Sequence, residues 1–151
     1  MISMKAKYAV QALIHMALRS TETSFVARKI AQAEEIPQKF LEEILLDMRK
    51  AGILRSKAGK CGGYSFRTQP ENITLQDTFK AISDPLASQG FNASSNPTDF
   101  TRVRDIDYLL EPIERRLHAA RRSVLAEITI TQLAEQLQTR EEDELVPDFQ
   151  I

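Results

Sequence analysis

Between Ser3 and Leu18 the apolar residues Ala6, Val10, Leu13, Ile14 and Ala17 recur in steps of three and four, the period of one helix face. Ser3 is placed to cap the start. After the polar connector STETSF, with room for a short strand at residues 24–26, VARKIAQAEEI reads as a short helix. PQKFLEEILLDMRKAG reads as a second, with Pro37 at its first helical position and Gly52 as its stop. Its stripe Phe40, Leu41, Ile44, Leu45 and Met48 faces a core; Lys39, Glu42, Glu43, Leu46 and Lys50 lie opposite. The link of about residues 34–36 between these helices is short enough for a helix–turn–helix.

The next stretch, ILRSKAGKCGGYSF, changes period. It alternates weakly about a glycine-rich centre and predicts a β-hairpin with its tip near residues 58–63. Tyr64 and Phe66 anchor the returning strand, one of them facing the core. ITLQDTFKAI is a short helix capped by Thr74. Residues 83–104, rich in Ser, Asn, Pro and Gly, read as a loop. A heptad-like seam then runs through Ile106, Leu110, Ile113, Leu117, Ala120 and Val124, as in a long helix lying along a partner helix. Pro112 inside it should kink that helix or mark its start. Thr129 and Gln132 resemble a capping box opening a short last helix, TQLAEQL. The acidic tail, 141–151, reads as disordered.

Composition adds one thing to this outline. The net charge is −1, yet residues 1–67 hold 12 Lys/Arg against 6 Asp/Glu, while residues 68–151 hold 8 against 15. A basic N-terminal half favours a polyanionic partner. Hydrophobic content of 42% and charged content of 27% are those of a soluble globular chain. No apolar run approaches a membrane span and the start has no signal-peptide layout, so a cytoplasmic location is expected. The single cysteine excludes an internal disulfide.

Helix, short turn, helix and cationic glycine hairpin together describe a winged helix–turn–helix. Gln38 can pair bidentately with adenine, Glu42 or Glu43 can accept from cytosine, and Lys39 can reach guanine or phosphate. Arg55, Lys57 and Lys60 are spaced to meet phosphates, while Gly59, Gly62 and Gly63 let the tip turn tightly and approach DNA closely. The candidate DNA-binding set is Lys5, Gln38, Lys39, Glu42, Arg55, Ser56, Lys57, Lys60, Gly62, Gly63 and Tyr64. The candidate dimerisation set is the six seam residues.

The stretches SMKAKYAVQALIHMAL, RKIAQAEEIPQKFLEEILLDMRKAGIL, RSKAGKCGGYSF and ITLQDTFKAI, followed by the long helix and ITITQLAEQL, resemble the bacterial winged-helix regulators of the IscR–NsrR–CymR family. The resemblance implies a mainly α fold with a small β-hairpin wing and a long dimerisation helix. It implies a homodimeric repressor on a partly palindromic operator, contacting double-stranded DNA through Lys39, Glu42 and the wing from Lys57 to Gly63. The expected division is a DNA-binding part at 1–82, a loop at 83–104, dimerisation and closing helices at 105–140, and the tail.

Three features depart from the family pattern. Members that hold an iron–sulfur cluster carry three close cysteines before the dimerisation helix; SQGFNASSNPTDFTRVRDI has none, so no cofactor and no metal is expected. Cys61 replaces a wing glycine, and Ala58 stands where many members have arginine. Control through a regulatory protein partner, or through a thiol switch at exposed, cation-flanked Cys61, is the alternative reading. His15 reads as a core-edge residue, and His118 lies beside cations with no ligand spacing around it. No catalytic constellation stands out, so an enzyme is not expected.

Overall fold

The computed structural model describes residues 1–87 and 103–145, and of 103–105 the backbone only. Among these, the order is α1 (Met4–Leu18), α2 (Ala27–Ala33), α3 (Gln38–Lys50), β1 (Leu54–Lys57), β2 (Gly63–Phe66), a 3-10 turn (Pro70–Asn72), α4 (Leu75–Ala81), α5 (Val103–Glu127) and α6 (Ile130–Leu145). The fold is mainly α with a two-stranded antiparallel hairpin.

α1 is the central beam. It packs on α3, α4 and α6 through Ala6, Ala9, Ala12, Leu13 and Met16, all buried. Ser3 caps it as expected, accepting from the Ala6 amide at 3.1 Å, and its hydroxyl also donates to buried Asp84 beyond α4. The buried face is rotated from the expected stripe: Val10, Ile14 and Ala17 are only half-buried. Small alanines at 6, 9 and 12 allow the neighbouring helices to approach closely, so they take the core position.

α3 buries Leu41, Ile44, Leu45 and Met48 and leaves Lys39, Glu42, Glu43 and Lys50 exposed, while Phe40 is half-buried with its ring edge-on to Tyr8, centroids 5.8 Å apart. Pro37 occupies the N-cap (φ −55°, ψ 123°) rather than the first helical position. The chain enters through Glu35, whose φ of 54° lies in the left-handed region. Gly52 ends the helix at φ 81°, a value that suits glycine.

The hairpin pairs Leu54 with Phe66, Arg55 with Ser65, Ser56 with Tyr64 and Lys57 with Gly63. The strand expected at residues 24–26 is a single bridge: Phe25 donates to the Tyr64 carbonyl at 2.8 Å and accepts from its amide at 2.7 Å. α4 opens with a full capping box between Thr74 and Asp77.

α5 begins at Val103, two residues earlier than the expected division, and runs through Pro112. Residues 83–87 form a turn with Asp84 and Ala87 buried; the rest of the expected loop, 88–102, lies outside the described residues. The Thr129–Gln132 capping box is present. α6 is much longer than TQLAEQL, however, and takes residues 141–145 of the expected tail into the helix. Its charges support it: Arg140 meets Glu144 at 3.1 Å and Gln138 donates to Glu142 at 3.5 Å, both at i,i+4 spacing. Residues 146–151 lie outside the described residues.

Candidate nucleic-acid interface

α3 and β1 are in contact, so the exposed polar residues of α3 lie beside the wing. Gln38 Nε2 donates to Glu42 Oε1 at 2.9 Å, so two of the predicted base-reading side chains are already aligned. Among the described residues no side chain caps the α3 N-terminus, and no acid lies in its first turn. Its free first-turn amides therefore remain open to an anion. Lys39 is exposed beside them.

Side chains alternate across the wing's first strand. Leu54 is buried, and Ser56, on the same face, accepts from Arg49 Nη1 of α3 at 3.1 Å. Arg55 and Lys57 therefore project from the other face. Arg55 Nε donates to Ser65 Oγ at 3.1 Å, which fixes the guanidinium across the hairpin. Lys57 and Lys60 are exposed and make no ion pair among the described residues.

Glycine is needed at the wing base. A Cβ on Gly62 would lie 2.4 Å from the Lys57 carbonyl oxygen, and one on Gly63 (φ 146°) would lie 2.5 Å from the Phe25 oxygen. Tyr64 is half-buried in the returning strand, and Cys61 is exposed on the wall of a recess shared with Thr23, Arg55 and Lys57.

The ammonium of Lys5, another predicted contact, pairs with Asp47 of α3 at 2.9 Å, tying α1 to α3. Sequence reasoning missed Arg49, whose place in the last turn of α3 gave no sign that it reached the wing. It also passed over Arg28 and Lys29, exposed on α2, the helix that crosses the backbone in helix–turn–helix docking.

The six seam residues all lie exposed on α5, Ile113 at 53% and Leu117 at 65%, and Tyr108 and Leu109 extend the apolar surface. Leu125, outside the seam, is the α5 residue that enters the core among the described residues. Histidine readings hold in part: His15 is buried rather than at the core edge, its Nδ1 2.6 Å from Glu34, and His118 lies 2.7 Å from Arg121. Among the described residues no three His, Cys, Asp or Glu are grouped as metal ligands, and no helix is long and apolar enough to cross a membrane.

These elements define a winged helix–turn–helix DNA-binding protein with an appended long helix. The chain belongs to the Rrf2 family, described as iron-dependent transcriptional regulators, which it matches over residues 2–136. It is 34% identical over 138 residues to an HTH-type transcriptional regulator, Rv1287, of Mycobacterium tuberculosis, covering 88% of this chain and 80% of that one. It is 38% identical over 90 residues to an rrf2-like regulator of Rhodobacter capsulatus, of whose length that stretch covers 60% and which accounts for 58% of this chain. In structure it resembles IscR of T. potens, with a TM-score of 0.63 at 25% identity over 99% of this chain and 94% of that one. It shares its fold with CymR of B. subtilis, with a TM-score of 0.66 at 24% identity over 90% and 97%. The family and these named relatives are transcriptional regulators, not enzymes.

Proposed function

We propose that the protein is a cytoplasmic homodimeric repressor that reads a partly palindromic operator and works without an iron–sulfur cluster. The observation that carries the DNA reading is the open N-terminus of α3, flanked by Gln38, Lys39 and Glu42 and continued by the exposed wing lysines 57 and 60. In this reading Gln38, Lys39 and Glu42 meet base edges. Arg55, Ser56, Lys57, Lys60, Gly62, Gly63 and Tyr64 form the wing's contact strip, and Lys5 holds α3 in place through Asp47. Residues 1–82 form the DNA-binding part.

The exposed α5 seam supports a second copy as its partner. The thiol count argues for regulation without a cluster: the family description names iron, clusters are held by several thiolates, and this chain has one cysteine, at the wing.

Binding-site selection with the purified full chain tests this. The expected product is an inverted repeat with half-sites about one duplex turn, roughly 34 Å, or a multiple of it apart. Replacing Lys57 and Lys60 together by alanine should weaken binding on every sequence and lower the log–log salt slope by about 2. Salt-independent binding, or selection of no motif, would remove the reading.

A further inference from the structure

Gly63 leaves a gap in the outer face of the wing. The cross-strand pairs Arg55–Ser65 and Lys57–Gly63 put these four positions on one face of the hairpin, and only Gly63 brings no side chain to it. The gap opens into a recess of about 430 Å³, whose lining also takes in Thr23 and Ser24 of the α1–α2 connector and Cys61 of the wing tip. Thr23, Ser24, Cys61 and Ser65 stand outside the contact strip of the DNA reading.

One atom of this lining is not explained by the fold. Ser24 Oγ is buried and has no hydrogen-bond partner among the described residues, and it lies 2.7 Å from the place that a Gly63 Cβ would occupy. A buried hydroxyl without a partner costs stability. Shut off from bulk water, it gains a partner only from a group that enters where the Gly63 side chain is missing.

The rest of the lining selects that group. Arg55 spends Nε on Ser65 Oγ at 3.1 Å, and among the described residues its Nη groups keep their donors. Lys57 is exposed and belongs to the same lining. Thr23 and Ser24 add two hydroxyl donors. No carboxylate lines the recess, and Glu22, next along the connector, is not part of it. Two cations and a set of hydroxyls with no opposing acid fit an oxyanion, bound by charge-assisted hydrogen bonds.

We propose that the recess seats one phosphate of the DNA backbone, held by Arg55 and Lys57 of the wing and by the Thr23 and Ser24 hydroxyls of the connector. The inference rests on the DNA reading and extends its contact surface to a segment that neither α3 nor the wing supplies.

The test compares Ser24→Ala, Thr23→Val and Arg55→Gln with the parent full chain, in mobility shifts on a selected operator over a salt series and in thermal melts. Each connector variant should weaken the duplex about two- to tenfold, the span of one net hydrogen bond, at an unchanged salt slope. Ser24→Ala should leave the melt unchanged or raised, because it removes a hydroxyl that has no partner in the free protein; a loss of affinity matched by a lowered melt would make Ser24 a structural residue and overturn its contact. Thr23 is exposed, so Thr23→Val reads the seat without touching the fold. Arg55→Gln should lower the log–log salt slope by about 1, the share of one phosphate. Ethylation of one backbone phosphate per half-site should block the parent and cease to matter for Arg55→Gln. A parent that binds no duplex in a salt-dependent way overturns the DNA reading and this inference with it. If the parent binds and both connector variants stay within twofold of it, the seat alone falls.

Discussion

Arg49, in the last turn of α3, donates from Nη1 to Ser56 Oγ on β1 at 3.1 Å. The reading helix and the wing are thereby joined by a side-chain bond in addition to the Ala51–Gly52 turn. The bond is exposed, so its share of global stability is small. Its effect falls on the angle between two surfaces that, in the proposed reading, meet one duplex together. Arg49→Ala should leave the unfolding midpoint almost unchanged, within about 0.5 kcal/mol, and weaken operator binding about two- to tenfold, the span of one net hydrogen bond. Parallel thermal melts and mobility shifts check this. Full retention of affinity would mean that the wing is held by its strand contacts alone.

The pair His15–Glu34 joins the last turn of α1 to the turn of the helix–turn–helix. The 2.6 Å contact lies against the Phe25 ring, and Gln11 adds two bonds, to the Glu34 carbonyl and carboxylate. Removing the carboxylate strands a buried imidazole and leaves Gln11 only its bond to the Glu34 carbonyl. Glu34→Ala should cost about 1–3 kcal/mol, read as a lower urea midpoint at unchanged slope. Glu34→Gln keeps an acceptor oxygen and should lose less. Equal losses in the two variants would show that the charge, rather than the hydrogen-bond geometry, matters.

Gly63 is where the wing touches the body. Its φ of 146° and the Phe25 oxygen 2.5 Å from a built Cβ leave no room for a side chain. Gly63→Ala should break the Phe25–Tyr64 bridge and cost about 1–3 kcal/mol. Amide exchange at Phe25 and Tyr64 should accelerate before that of the α1 core. Unaltered exchange at these two amides would show that the strand can shift to admit a methyl.

Local signals made most of the fold legible. The α3 stripe, the Thr74 and Thr129 caps and the glycine hairpin each follow from short-range physics, and each stands where the sequence placed it. The failures have tertiary or cooperative causes. Periodicity alone could not choose between Val10–Ile14 and the alanine face of α1, because the choice depends on how closely α3, α4 and α6 approach. Charge made residues 141–145 look like a tail, although Glu and Arg at i,i+4 are good helix residues. Arg49 looked like any exposed residue at a helix end, since its partner lies seven residues on, in a different element. Of the interface, Gln38, Lys39 and Glu42 were visible as one exposed face; the bond that pairs Gln38 with Glu42 was not read from their spacing.

The seam on α5 gives the most decisive test of assembly. Ile106, Leu110, Ile113, Leu117 and Val124 keep between 45% and 65% of their surface exposed, and Tyr108 and Leu109 lie beside them. Such a contiguous apolar stripe is unusual on a monomer. A charge placed on it costs little within one protomer, because the side chain already faces outward. Across a paired interface the same charge would be buried without a partner. Leu117→Asp should therefore leave circular dichroism and the melt of dilute protein nearly as they were, while sedimentation moves from dimer to monomer. Operator affinity should fall steeply, and binding to an isolated half-site should not. If Leu117→Asp sediments with the parent, the stripe has another occupant and the two reading helices are brought together by some other surface.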